Sequence, residues 1–277
     1  MPLIGKVALI IGGTNGIGKA IAKNLASQRC DVNIIGRSNT GKDVIDQLYQ
    51  LHPSGNHSFM QVDVSTMENI RSLDTSKSIN KINYLIQTQG TASIKRITTS
   101  DGLDIKMALH YYSRMFFIMK FLPNLLSHNE EKVVLSVLSG GIHSSYNKFN
   151  DIDLKDDSNY SISNVANAAG FYNDLALHKL SKLNTNISFQ HAAPGFVNTN
   201  WGAAFPSYLL IPLRFIQSNF AMTPDKCATT MVNAMLQRKH PGFYIFSQYG
   251  HEAKITKQHN EQLMEQLWSH TKKVLNI

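Results

Sequence analysis

The sequence predicts an α/β protein with a doubly wound parallel sheet of about seven strands and helices on both faces. Short β-branched runs alternate with longer amphipathic stretches, as right-handed βαβ units require. The first strands are almost continuously apolar, which is typical of strands covered on both faces. Ligands of such sheets bind outside the carboxyl ends of the strands, so the loops there are expected to carry the function.

Seven runs are predicted as strands and seven as helices. The strands cover 6–11, 31–35, 58–62, 83–88, 132–138, 187–191 and 243–246. The helices lie near 17–27, 42–51, 66–73, 102–126, 164–183, 224–238 and 258–274. No low-complexity linker or internal repeat divides the chain, so residues 1–277 are predicted to form a single domain.

Composition excludes several classes of function. Hydrophobic residues make up 43% of the 277 residues and charged residues 17%, a globular balance. The net charge of +8 comes from scattered Lys and Arg, so we expect a solvated surface of mixed charge and no nucleic-acid partner. Cys30 and Cys227 form neither a disulfide framework nor a metal-ligand spacing, which favours a cytoplasmic location and no metal. Neither a signal peptide nor a transmembrane segment is expected.

A glycine-rich segment directly follows the first strand and opens the first helix. Gly12 permits a tight turn, Gly16 lets the backbone approach a pyrophosphate, and Gly18 allows close packing of helix on strand. The helix N-terminus offers free N–H groups to the phosphates. The expected dinucleotide loop comprises Gly12, Thr14, Asn15, Gly16, Ile17 and Gly18.

Several segments, in order along the chain, resemble motifs of the short-chain dehydrogenase/reductase family in a divergent, fungal-type form. They are Gly12-x-x-x-Gly16-x-Gly18, Val62-Asp63-Val64, Gln87-Thr88-Gln89-Gly90 and Pro194-Gly195-Phe196-Val197-Asn198-Thr199. The resemblance covers nearly the whole chain and implies a Rossmann-type NAD(P)-binding domain. Cofactor contacts are thereby implied for Asp63 and Val64 at the adenine, for Gly90, and for Pro194, Gly195, Val197 and Thr199 at the nicotinamide end.

The residues after the second strand bear on the choice of cofactor. An NAD-preferring site usually places an acid there, and this chain has Arg37 and Ser38. Arg37 could pair with a 2′-phosphate, and Ser38 could add a hydrogen bond. The sequence therefore favours NADP(H), while NAD(H) stays open because arginine also stacks on adenine.

The family resemblance implies a carbonyl site formed by a strand-end serine and a Tyr-x-x-x-Lys pair. Ser139 ends the predicted fifth strand and is expected to bind the carbonyl oxygen, but none of the ten tyrosines has Lys four residues later. Tyr160-Ser161-Ile162-Ser163-Asn164 resembles the family's Tyr-Ser-x-Ser-Lys stretch, which makes Tyr160 the expected proton donor and puts Asn164 in the lysine's place. Counting back from Pro194 instead reaches Asn167-Ala168-Ala169-Gly170, which holds no acid or base.

Two further features concern proton transfer. A tyrosine without its lysine stays protonated at neutral pH, so we expect a bias towards carbonyl reduction. His110 stands where relatives carry an asparagine that orders a water relay, and it is expected to support proton transfer. Tyr111 or Tyr112 could instead be the donor, or these rings could pack the helix against the sheet. His143 follows Ser139 by four residues and could face the substrate, although a histidine in a loop is more often solvated.

The segment near 200–220 is rich in apolar residues and follows the Pro-Gly-x-Val-x-Thr motif. The resemblance implies a substrate lid there, with a core helix, a homodimer contact and a membrane-surface patch as alternatives. The predicted function is NAD(P)H-dependent reduction of a small apolar aldehyde or ketone. The alternatives are a dinucleotide-binding sensor or partner protein with little turnover, and a non-redox lyase or cyclase.

Overall fold

The architecture is that of a computed structural model, which describes residues 2–74, 79–144, 146, 148–200, 202, 205–255 and 259–277. Among these residues, eight strands form one sheet in the order β3-β2-β1-β4-β5-β6-β7-β8. The strands are β1 (Val7–Ile11), β2 (Asp31–Gly36), β3 (Ser58–Gln61), β4 (Tyr84–Gln87), β5 (Val133–Val137), β6 (Ser188–Ala192), β7 (Gly242–Phe246) and β8 (Glu252–Ala253). The first seven are parallel, which confirms the predicted doubly wound sheet, and only β8 is antiparallel.

Helices cover both faces of this sheet. They are α1 (Gly16–Ser27), α2 (Gly41–Leu51), α3 (Met67–Arg71), α4 (Ile105–Met107), α5 (Ser113–Leu126), α6 (Ile162–Leu183), α7 (Ser207–Phe220), α8 (Pro224–Gln237) and α9 (Glu261–Leu275). A π-helical turn, Ala108–Tyr112, joins α4 to α5, so the helix predicted near 102–126 is one long element with an internal irregularity. Such turns are frequent at functional sites.

The core is divided by the sheet into two layers. Alternate strand residues point to opposite faces, so Leu9 lies in the layer with α5, α6 and α9, and Ile10 lies in the layer with α1, α2 and α8. Strands β1 and β4 are neighbours in the sheet. From β1 the successive strands β2 and β3 are added on one side, and from β4 the later strands are added on the other side. The crevice at such a reversal is where doubly wound sheets bind ligands, so it locates the site.

Helix α7 is the element that departs most from the pattern of the core. Its apolar side chains face outwards: Tyr208 is 73% exposed, Ile211 74%, Phe215 68% and Phe220 77%. The alternative that this segment is a core helix is therefore wrong for α7. Trp201, which belongs to the same predicted segment, lies outside the described residues. None of the helices in the described ranges has the length and hydropathy that crossing a bilayer requires.

Candidate functional site

The glycine-rich loop packs so tightly that side chains are excluded from it. Gly12 has φ +86°, and a Cβ on it would lie 2.8 Å from the backbone nitrogen of Gln89. A Cβ on Gly18 would lie 2.3 Å from the carbonyl oxygen of Gly12. Asn15 caps α1 by accepting a hydrogen bond from the Gly16 N–H at 2.7 Å, while Ile17 packs against the core layer that contains α1, α2 and α8. The geometry matches the close backbone approach that a pyrophosphate needs.

A cavity of about 400 Å³ opens beside the N-terminus of α1. Its wall includes Asn15, Gly16, Lys19, Thr199 and Arg214. Arg214 reaches from α7 and donates a hydrogen bond to the carbonyl oxygen of Thr199 at 2.5 Å. Basic side chains and the N-terminus of a helix suit an anionic ligand, so these residues fit a dinucleotide phosphate.

The end of β2 lies against the glycine-rich loop. A Cβ on Gly36 would lie 2.6 Å from the side chain of Thr14, which brings the following residue, Arg37, next to that loop. Arg37 is exposed and makes no ion pair among the described residues, and Ser38 accepts a hydrogen bond from the Thr40 hydroxyl at 2.9 Å. A cation at this position can meet a phosphate on the adenosine ribose.

Asp63 and Val64 follow β3 on the same edge of the sheet. The Asp63 carboxylate accepts a hydrogen bond from the Ser65 N–H at 3.0 Å, and Val64 is 7% exposed. Both therefore lie at the carboxyl edge where the resemblance implies an adenine.

The loop after β4 is held by His110. Nε2 of His110 accepts a hydrogen bond from the Thr91 N–H at 3.0 Å, and a Cβ on Gly90 would lie 2.8 Å from that atom. Burial lowers the pKa of His110 to about 3, so the ring stays neutral. Its geometry therefore supports a positioning role for the loop and argues against proton exchange near neutral pH.

The segment after β6 forms the far wall of the crevice. Gly195 has φ +74°, and Val197 is buried and pairs with Met222. A Cβ on Gly16 would lie 3.3 Å from Cγ2 of Thr199, so this segment faces the glycine-rich loop. The Pro194 carbonyl oxygen lies 3.6 Å from Sγ of Cys227 on α8, and this contact anchors the segment to the core layer that contains α1, α2 and α8.

Ser139 lies just beyond the end of β5, as predicted. Its Oγ is buried and has no hydrogen-bond partner among the described residues. Across from it is Gly170 in α6, where an added Cβ would lie only 2.4 Å from that Oγ. A hydroxyl left without a partner in a buried position needs an explanation, and a bound carbonyl oxygen would supply the partner.

Tyr160 and Asn164 are not brought to Ser139. The Tyr160 hydroxyl donates to the Asp104 carboxylate at 2.9 Å, and the Asn164 side chain donates to the carbonyl oxygen of Asn159 at 2.7 Å. Gly170 opposite Ser139 lies eight residues beyond Ile162, which is about 12 Å along the helix axis. Both residues therefore anchor the start of α6, and the segment reached by counting back from Pro194 is the one that faces Ser139.

Tyr111 and Tyr112 are core residues. Tyr111 shares a 2.6 Å hydrogen bond with Thr271, Tyr112 donates to Asp153, and burial raises the pKa of both hydroxyls. The next charged residue, Arg114, is buried and donates to the Ser136 hydroxyl at 2.6 Å and to the carbonyl oxygen of Gln89 at 2.7 Å. Packing, the alternative left open for these rings, is what the structure shows.

Three histidines converge on Asp174, four residues after Gly170 on α6. The four residues, which we call the His–Asp cluster, are His143, Asp174, His191 and His259. Sequence reasoning missed the cluster because its members lie far apart in the chain and show no ligand spacing. Two signals were available in the sequence. His143 follows Ser139 by four residues, and Asp174 is an acid in a helix where the family resemblance implies a lysine.

The comparisons with known proteins agree with this architecture. The sequence profile described as short chain dehydrogenase matches residues 6–207. The oxidoreductase AN1596 of Emericella nidulans is 35% identical over 207 residues, which are 72% of this chain and 61% of that protein. Matches to the fungal relatives span about three fifths of those proteins. Human polyprenol dehydrogenase is 26% identical over 286 residues, covering 95% of this chain and 83% of the relative.

Solved structures show the same fold at low sequence identity. The L-sorbose reductase of Gluconobacter frateurii, complexed with NADPH and L-sorbose, superposes with a TM-score of 0.63 at 17% identity, covering 88% of this chain and 95% of that one. A short-chain dehydrogenase/reductase of Burkholderia phymatum in complex with NAD gives 0.63 at 16% identity, covering 100% and 96%. From the fold, the ordered motifs and the profile match, we conclude that the chain belongs to the short-chain dehydrogenase/reductase family.

Proposed function

We propose that the protein reduces an aldehyde or ketone with NADP(H). The observation that carries the proposal is the unpartnered Ser139 hydroxyl, buried at the carboxyl edge of β5. A hydroxyl in that position can donate to a carbonyl oxygen as negative charge develops on it. The names of the relatives, an oxidoreductase and a polyprenol dehydrogenase, support alcohol–carbonyl chemistry.

The residues present fit a bound dinucleotide. The backbone of the glycine-rich loop and the N-terminus of α1 would hold the pyrophosphate, Arg37 and Ser38 would hold the 2′-phosphate, and Asp63 would hold the adenine. The segment 194–199 would contact the nicotinamide end. When bound, the reduced nicotinamide supplies hydride to the carbonyl carbon. Ser139 orients the carbonyl and stabilises charge on its oxygen, so the contribution of this chain is positioning and electrostatic stabilisation.

Helix α7 would act as the substrate lid. It carries exposed apolar side chains, and its Arg214 contacts the segment that closes the crevice. An apolar lid excludes water and favours an apolar carbonyl compound. We also propose the exposed stripe of Tyr208, Ile211 and Phe215 as the surface for a homodimer contact.

The direct test measures NADPH and NADH oxidation by the purified protein over a panel of aldehydes and ketones. We expect oxidation that depends on the carbonyl compound and is faster with NADPH. Cofactor binding without any such turnover would instead favour a sensor or partner protein, a role to which the lack of a Tyr-x-x-x-Lys pair in the sequence also points. Product formation without net cofactor oxidation would favour a lyase or cyclase.

Replacing Arg37 with alanine is expected to weaken NADPH binding about tenfold or more and to leave NADH binding nearly unchanged. The reason is that only NADPH carries the 2′-phosphate with which the guanidinium would pair. The measurement is the Kd of each cofactor from fluorescence titration. Arg29→Ala, a change at a surface arginine outside the crevice, is the control, and equal losses for both cofactors would contradict the assignment of Arg37.

A further inference from the structure

The His–Asp cluster is buried directly beneath Ser139. Asp174 accepts hydrogen bonds from Nδ1 of His191 at 2.5 Å, from Nε2 of His143 at 2.7 Å and from Nε2 of His259 at 3.1 Å. The Asp174 side chain is 1% exposed. Nε2 of His191 accepts the backbone N–H of Ser139 at 3.2 Å, which ties the cluster to the carbonyl site.

These distances describe a hydrogen-bonded network and not a metal centre. Nitrogen and oxygen ligands around a tetrahedral zinc ion lie about 3.3 Å apart, since each is about 2.0–2.2 Å from the metal. The tautomer of His191 also argues against a metal ion. Because Nε2 accepts a backbone N–H, the ring proton lies on Nδ1 and points at Asp174, so Nδ1 has no lone pair for a metal.

His143 is the member of the cluster that reaches the crevice. Its side chain is 7% exposed, against 0% for His191 and 1% for His259. A Cβ on Gly170 would meet the Ser139 Oγ at 2.4 Å and Cβ of His143 at 2.8 Å, so both side chains border the same point. Because Gly170 has no side chain, the side chains of Ser139 and His143 can occupy this space. Nε2 of His143 is bound to Asp174, and Nδ1, the nitrogen not bound to the carboxylate, lies 3.3 Å from the carbonyl oxygen of Ser144.

We propose that His143 is the proton donor of the carbonyl reduction, held in place by Asp174. The inference rests on the function proposed above. As hydride from the reduced cofactor forms the new C–H bond, the π electrons of the carbonyl move to its oxygen, which Ser139 binds. The Nδ1–H bond of the His143 imidazolium breaks, and its proton binds the former carbonyl oxygen to give the alcohol. A neutral imidazole remains at His143. The cofactor is oxidised, the carbonyl is reduced, and solvent reprotonates His143.

The charges around His143 suit this role. It faces Asp174 from α6, His191 from β6 and His259 from the segment before α9, with Arg114 beyond His191 and His178 beyond His259. Burial opposes ionisation of Asp174, but the hydrogen bonds that its carboxylate accepts from the three histidines hold its pKa well below the usual range. Burial lowers the pKa of His191, which therefore stays neutral. Because His191 is neutral, the negative charge of Asp174 can stabilise an imidazolium at His143, as in other His–Asp pairs.

The test compares His143→Gln and Asp174→Asn with His240→Gln, a change at an exposed histidine outside the site. We expect His143→Gln to lower kcat about a hundredfold or more, with the Kd for NADPH unchanged. Asp174→Asn should lower kcat as well, because the donor ring has lost the carboxylate that holds its Nε2. His240→Gln should behave as the wild type.

A second readout does not require turnover. In the cofactor-free protein, proton NMR should show an exchange-protected imidazole N–H of His143 that disappears in Asp174→Asn. A His143→Gln variant that keeps the kcat of an active wild type would overturn the inference alone. Loss of activity on chelation with recovery in zinc would also overturn it, in favour of a metal centre. A wild type inactive on every carbonyl compound would defeat the proposed function, and the donor role with it.

Discussion

Alanine at Ser139 is expected to lower kcat/KM for carbonyl reduction by about 10²–10³-fold. The Ser139 Oγ is the buried hydroxyl that has no partner among the described residues at the end of β5, and removing one donor to a developing oxyanion typically costs this much. The change removes an atom from a site where Gly170 already leaves space, so the fold should be retained. Steady-state kinetics and NADPH titration on the same sample measure the two effects separately.

Ser72→Ala serves as the control for this prediction. Ser72 is exposed at the end of α3, and its hydroxyl donates a hydrogen bond to the carbonyl oxygen of Asn69. Its loss should leave kcat/KM within the error of the measurement. If Ser139→Ala retained wild-type kcat/KM, the carbonyl oxygen would have to bind elsewhere.

Alanine at Gly18 is expected to weaken cofactor binding about 10- to 100-fold and to destabilise the protein by about 1–3 kcal/mol. The added Cβ would lie 2.3 Å from the Gly12 carbonyl oxygen and 2.4 Å from Oγ1 of Thr88. Because the first of these is a backbone atom, relief requires the glycine-rich loop to move away from α1. The phosphates would then lose the N–H groups that the loop and helix present together. Urea unfolding and NADPH titration give the two quantities.

Gly5→Ala is the matched control for glycine replacement. Gly5 has φ +72°, and a Cβ there would meet nothing within 4 Å. It should cost about 1–2 kcal/mol through backbone strain alone and leave the Kd for NADPH unchanged. Equal cofactor affinity in Gly18→Ala and the wild type would contradict the placement of the pyrophosphate at this loop.

The parallel sheet could be predicted because its signals are local. Most of the first seven strands are short apolar runs next to turn residues, and the helices follow a 3.6-residue period. The glycine-rich loop could be predicted for the same reason, since a strand, three glycines and a helix lie within a few consecutive residues. The short β8 gave no such pattern, because two residues that pair only at the edge of a sheet carry too little periodicity.

The proton-transfer residues could not be predicted in this way. Tyr160 matches a local motif, yet the structure pairs it with Asp104, because the start of α6 lies more than two turns from the residue that faces Ser139. Local similarity reports residue types and not the position of a side chain along a helix relative to a strand in another part of the chain.

By itself the sequence determined the fold class, the dinucleotide loop, the strand-end serine and the absence of a Tyr-x-x-x-Lys pair. These follow from residues that are neighbours in the chain. Only the tertiary structure decided that Gly170 faces Ser139, that apolar α7 is exposed, and that His143, His191 and His259 converge on Asp174. The physical reason is that parallel strands bring their carboxyl ends to one edge of the sheet. Side chains from β5, β6, α6 and the segment before α9 therefore meet in one crevice, although more than a hundred residues of chain separate the first from the last.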